Sequence, residues 1–66
     1  MRLFLNGEDR QVEGVVTIAD LVASLDLDAR KVAVERNLEI APRSTYATTR
    51  LIEGDRIEIV TVIGGG

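Results

Sequence analysis

Three glycines, Gly64, Gly65 and Gly66, stand at the end of this 66-residue chain, directly behind Ile63 and the strand-like run Arg56 to Val62. Residues without side chains add nothing to packing, and ordering them costs more conformational entropy than ordering any other type. Such an end suits one chemical task, the delivery of a free carboxylate on a narrow, pliant segment into a confined active site on another protein. An α-carboxyl group has a reference pKa of about 3.5, so it is ionised at neutral pH and serves as an oxygen nucleophile. The expected working group of the chain is its own C-terminus.

The remaining residues offer few other tools. The absence of cysteine excludes a disulfide framework and thiolate ligation, and the absence of histidine removes the commonest metal ligand and general base. Asp26 with Asp28, and Glu8 with Asp9, have the spacing of acid pairs or metal ligands, but each sits in a polar break and reads as a solvated turn. Arg36, Arg43 and Arg50 read as isolated surface cations with no binding role. Eight basic against eleven acidic residues give a net charge of -3, with no basic cluster and one each of phenylalanine and tyrosine. Neither phosphate neutralisation nor base stacking is supported, so nucleic acid is not an expected partner. Charged Glu8, Asp9, Arg10 and Glu13 interrupt the early residues, and no apolar run approaches the length of a signal core or membrane span. The expectation is a soluble cytoplasmic protein, monomeric when free, with no bound cofactor, no metal and no membrane partner.

Hydrophobic periodicity supplies the elements that must hold such an end. Met1 to Leu5 predicts a strand, Asn6-Gly7 a tight type I′ turn, and Glu8 to Val12 a returning strand. Thr17 is positioned to cap a helix with Asp20 three residues on, while Ile18, Leu21, Val22 and Leu25 repeat at i, i+3, i+4 and i+7. Lys31 to Glu35 alternates as a third strand, and Asn37 opens the next turn. Glu39 and Ile40 predict a brief fourth strand, and Pro42, which has no N–H to donate, places this segment at an edge or outside the sheet. Arg43 to Arg50 reads as an irregular connection, Leu51 and Ile52 as core anchors, Glu53-Gly54-Asp55 as a turn, and Arg56 to Val62 as the last strand.

A hairpin, one helix and further strands in that order give an α+β fold of the β-grasp (ubiquitin-like) pattern. It is a mixed sheet of about four to five strands with one main helix on one face. The last strand is expected in the middle, beside the first. Residues 1–62 form the β-grasp domain and 63–66 a flexible glycine tail. Alternation assigns Leu3, Leu5, Val32, Val34, Ile57 and Ile59 to the helix side and leaves Phe4, Ala33, Val60 and Val62 on the other. Phe4, Val60 and Val62, with Ile63 beyond them, are the expected partner-binding residues, forming an apolar patch beside the tail.

Val32-Ala-Val-Glu-Arg-Asn37, then Glu39-Ile40, Pro42-Arg43, Gly54-Asp55-Arg56-Ile57-Glu58-Ile59 and the terminal glycines closely resemble the ThiS family, the sulfur carriers of thiamine biosynthesis. The resemblance covers nearly the whole chain. Leu38 departs from the smaller or polar turn residue frequent in the family, and Tyr46 stands where tryptophan is frequent. The resemblance implies a carrier, not an enzyme, whose Gly66 carboxylate is the reactive group, with Gly65 and Gly64 as the thread. It implies adenylation by an ATP-dependent, ThiF-like adenylyltransferase related to ubiquitin-activating enzymes, with the ATP consumed by that partner. A sulfur donor such as a cysteine desulfurase then yields a thiocarboxylate, which gives its sulfur to thiazole synthase. Two alternatives share the fold and the activated end: the small subunit of molybdopterin synthase, and a ubiquitin-like protein modifier. A purely regulatory β-grasp domain, indifferent to loss of Gly65 and Gly66, is a third.

Overall fold

In the computed structural model, residues 1–62 are described; Ile63, Gly64, Gly65 and Gly66, and with them the expected tail, lie outside the described residues. The first strand, β1 (Arg2–Leu5), turns at Asn6-Gly7 into β2 (Glu8–Gln11). Both turn residues have positive φ, 49° and 82°, the type I′ geometry for which Asn-Gly is favoured because both tolerate the left-handed region. Helix α1 (Ile18–Ser24) follows. Its first turn is closed by a capping box: the Asp20 N–H donates to Thr17 Oγ1 at 3.2 Å, and Asp20 Oδ2 accepts from the N–H groups of Thr17 and Val16, each at 3.0 Å.

A short 3₁₀ turn (Ala29–Lys31) leads to β3 (Val32–Arg36), which folds back as β4 (Glu39–Ala41). After a second 3₁₀ turn (Arg43–Thr45) the chain re-enters the sheet as β5 (Arg56–Thr61). The strand order is β2-β1-β5-β3-β4, so the last strand fills the centre. It runs parallel to β1 and antiparallel to β3. The short β4 occupies the edge, where Pro42 ends its pairing.

Leu3, Leu5, Val32, Val34, Ile57 and Ile59 point to the helix side and are buried with Ile18, Leu21 and Val22 of α1. Each fully buried aliphatic side chain contributes about 1.5–3 kcal/mol relative to exposure, so this cluster holds helix to sheet. Val15, Leu51 and Tyr46 complete the core. The Tyr46 hydroxyl lies 3.4 Å from the Val32 carbonyl, giving the buried phenol an acceptor. Ile52 does not anchor the chain as its pairing with Leu51 predicts: it is 61% exposed, while Leu51 is 6% exposed. The Ile52 N–H is tied to Asp55 instead, and the side chain beyond it points to solvent.

Candidate functional site

The helix covers only one face of the sheet. On the other, β1 presents Phe4, β5 presents Arg56, Glu58 and Val60, β3 presents Ala33 and Glu35, and β4 presents Ile40, as the register and alternation require. Val62 continues the ladder one residue past β5, its N–H donating to the Lys31 carbonyl at 2.7 Å, and is 49% exposed.

The register separates residues that the sequence groups together. Phe4 lies opposite Arg56, at the start of β5, whereas Val60 lies opposite Ala33, near its end. Four residue steps along the strand separate Arg56 from Val60, roughly 13 Å at the rise of a β-strand. Between them stand Glu58 and, facing it from β3, Glu35. Phe4 therefore does not merge with the valines into one patch beside the tail. It lines a separate groove of about 310 Å³ with Asn37, Leu38, Gly54 and Arg56. Val60 lines a second depression of about 430 Å³ with Ala33, Ile40, Glu35, Glu58 and Asn6.

Asn6 bridges the two halves of the sheet. Its Oδ1 accepts from the Ile59 N–H at 2.8 Å and its Nδ2 donates to the Ile59 carbonyl at 3.2 Å, so a side chain continues the β1–β5 pairing after β1 has turned away. Beyond that point β3 pairs β5 as far as Thr61.

The groove end of β5 is braced by a polar node that sequence reasoning missed. Asp55, 7% exposed, accepts from Arg36 Nε at 2.9 Å, Asn37 Nδ2 at 3.0 Å and the Ile52 N–H at 2.8 Å. Asn37 Oδ1 in turn accepts from the Arg56 N–H at 2.9 Å. Burial raises the Asp55 pKa, but the hydrogen bonds from Asn37, Ile52 and Arg36, together with the Arg36 charge, outweigh it and hold the carboxyl below its ordinary value. Arg36 is thus a structural cation, not an isolated surface one. The signal was an aspartate directly after Gly54, whose φ of 87° makes the turn that aims it inward. Asp26 sits in a turn at φ 58°, and Asp28 pairs with Arg30 Nη2 at 2.9 Å while capping the 3₁₀ turn. Among the described residues no group of three or more acidic, histidine or cysteine side chains is placed to hold a metal, and no helix is long and apolar enough to cross a membrane.

A model of the ThiS family matches residues 3–66 of the chain. The chain is 52% identical over 66 residues to a thiazole synthase of Paramagnetospirillum magneticum, a match that takes in all of this chain but spans only 20% of that protein. It is 45% identical over 65 residues to the sulfur carrier protein ThiS of Bacillus subtilis, covering 97% of this chain and 98% of that one. Its fold superimposes on the crystal structure of the thiamine biosynthesis protein ThiS from Geobacter metallireducens with a TM-score of 0.84 at 32% identity, over the whole of both chains.

Proposed function

This chain belongs to the ThiS family, and from that premise we propose that it is a sulfur carrier whose Gly66 carboxylate is the group that is loaded. The carboxylate oxygen attacks the α-phosphorus of ATP in the active site of a ThiF-like adenylyltransferase, and pyrophosphate leaves. In the acyl-adenylate the carbonyl carbon has AMP as a leaving group, so the terminal sulfur of a donor persulfide, such as that formed on a cysteine desulfurase, displaces AMP to give an acyl disulfide. A thiol reductant then cleaves the S–S bond, leaving the thiocarboxylate and a disulfide between donor and reductant. The loaded end then gives its sulfur to a thiazole synthase. ATP is the partner's substrate, and the carrier supplies the acyl group and an address.

The observation that carries this reading is the near end-to-end match to a sulfur carrier protein, together with a central β5 from which Val62 and Ile63 lead in sequence to the glycines. The thiazole synthase partner is supported by a protein of that name containing a stretch that matches all of this chain. Four residues follow Val62. With Gly66 as the loaded end, a four-residue segment reaches at most roughly 14 Å, so a partner must seat its reacting centre close to the Val62 end of the sheet. Val60, Val62 and Ile63 are accordingly proposed as the contact nearest the chemistry, with Phe4 a distal anchor in its own groove. Gly65 and Gly64 are proposed as the thread, because a residue without Cβ passes a channel that a side chain would block.

Intact-mass measurement after incubation with ATP, the activating enzyme and a sulfur source tests the proposal. One oxygen replaced by sulfur on the C-terminal peptide is the expected result; an unaltered mass with active partners rejects it.

A further inference from the structure

The open face of the sheet carries a charge arrangement that does nothing for the fold. Glu35 of β3 and Glu58 of β5 are register partners. Directly opposed side chains in an antiparallel pair have Cβ atoms about 5 Å apart, and like charges there destabilise the sheet. The ion pairs among the described residues are Arg2–Asp9, Arg10–Glu8, Arg30–Asp28 and Arg36–Asp55, and neither glutamate takes part. Arg56 lines the Phe4 groove, while both carboxylates line the other depression.

Apolar surface flanks the pair. Ile40, opposite Glu35 on β4, is 69% exposed, and Val60, two residues after Glu58, is 61% exposed. Two unneutralised carboxylates inside an apolar rim form the complement of one side-chain type: a long aliphatic stem ending in a cation. Arginine fits best, because its planar fork donates to two acceptors at once while its stem lies on hydrocarbon.

We infer that this face docks a thiazole synthase surface presenting a basic side chain, whose cation sits between Glu35 and Glu58 and whose stem covers Ile40 and Val60. The inference rests on the carrier reading and names the contact chemistry of the partner that accepts the sulfur. The choice of partner follows from the thiazole synthase that contains a matching stretch, and the position follows from Val60 and Val62, which lead from this depression to the glycines. Local repulsion retained on an otherwise well-patterned sheet is the kind of conflict expected where a surface serves a partner.

The test titrates the full-length protein onto purified thiazole synthase from the same organism by calorimetry, at low and high salt. The variants are Glu35→Gln, Glu58→Gln and the double variant, with Glu13→Gln as a distant control. The double variant is expected to lose about tenfold or more in affinity and to flatten the salt dependence, as for a charge pair desolvated in an interface. Its melting temperature should hold or rise by a few degrees as the repulsion disappears. Unchanged affinity overturns the inference, and so does a fall in melting temperature, which would make the pair structural. If the wild type fails to bind the synthase yet still acquires the thiocarboxylate, the inference fails and the carrier reading stands; if no thiocarboxylate forms, both fail. Loss of pyrophosphate release with synthase binding intact also overturns it, by giving the face to the activating enzyme.

Discussion

Replacing Asp55 by alanine removes one carboxylate that accepts from Arg36, Asn37 and the Ile52 N–H. Hydrogen bonds to a charged group contribute about 1.5–3 kcal/mol each in favourable cases, and stripping one partner from a buried ion pair costs about 3–5 kcal/mol. The Arg36 side chain is 28% exposed and recovers part of its hydration when freed, which brings the expected loss to about 3 kcal/mol. A domain of this size has a total stability of only about 3–10 kcal/mol, so the loss is a large fraction of it. At about 4–8 °C per kcal/mol, the melting temperature should fall by about 12–24 °C at pH 7. Far-UV circular dichroism melts and urea titrations of the full-length variant measure this directly. The sign with pH is also determined. Because the folded pKa of Asp55 lies below its ordinary value of 3.8, its contribution is fully present above that value and is lost as pH falls through the folded pKa. Wild type and variant should therefore converge in acid. A loss under about 1 kcal/mol at pH 7, or a difference between the two proteins that stays constant into acid, refutes the assignment of Asp55 as the brace of β5.

Gly65→Val should leave the fold intact and abolish pyrophosphate release with the activating enzyme; normal release would show that no narrow channel receives the end. Leu38, a non-glycine residue at φ 71°, carries strain of about 1–2 kcal/mol, so Leu38→Gly should raise the melting temperature by several degrees after the entropic cost of glycine is subtracted. Phe4→Asp should weaken partner binding about tenfold with an unchanged melt, since Phe4 is 43% exposed and outside the core. Asp28 is pulled from 3.8 down to about 2, chiefly by the Arg30 side-chain hydrogen bond. Its contribution to stability is complete above pH 3.8 and disappears toward pH 2, and Arg30→Gln should return its carboxyl titration, followed by NMR, toward 3.8.

The elements were legible because each carries its own period: alternation in β1, β3 and β5, the capping box and apolar stripe of α1, and the Asn-Gly turn. The central place of β5 followed from topology. What stayed hidden depends on register between strands distant in sequence. Alternation identifies Phe4 and Val60 as sharing a face, but only the β1–β5 register, with Phe4 opposite Arg56, shows that Glu58 and Glu35 stand between them. Likewise Ile52 follows a genuine core residue, and nothing local reveals that Asp55 captures its N–H and leaves its side chain outside. Arg36 and Asn37 read as surface and turn because their acceptor is 19 and 18 residues away. The glycines were conspicuous for the opposite reason: the chemistry proposed for them is that of a terminus and needs no partner within the fold.

The bond between Asn6 and Ile59 joins positions 53 residues apart, across the parallel seam of β1 and β5. Until β5 has been synthesised, the opening hairpin and the β3–β4 pair have no strand between them, and the sheet exists only as two disconnected halves. Closing so long a loop is the slow, entropically costly step of a mixed topology. The domain can therefore assemble only once β5 has left the ribosome, and a product truncated before β5 would lack its middle strand and be left to proteolysis.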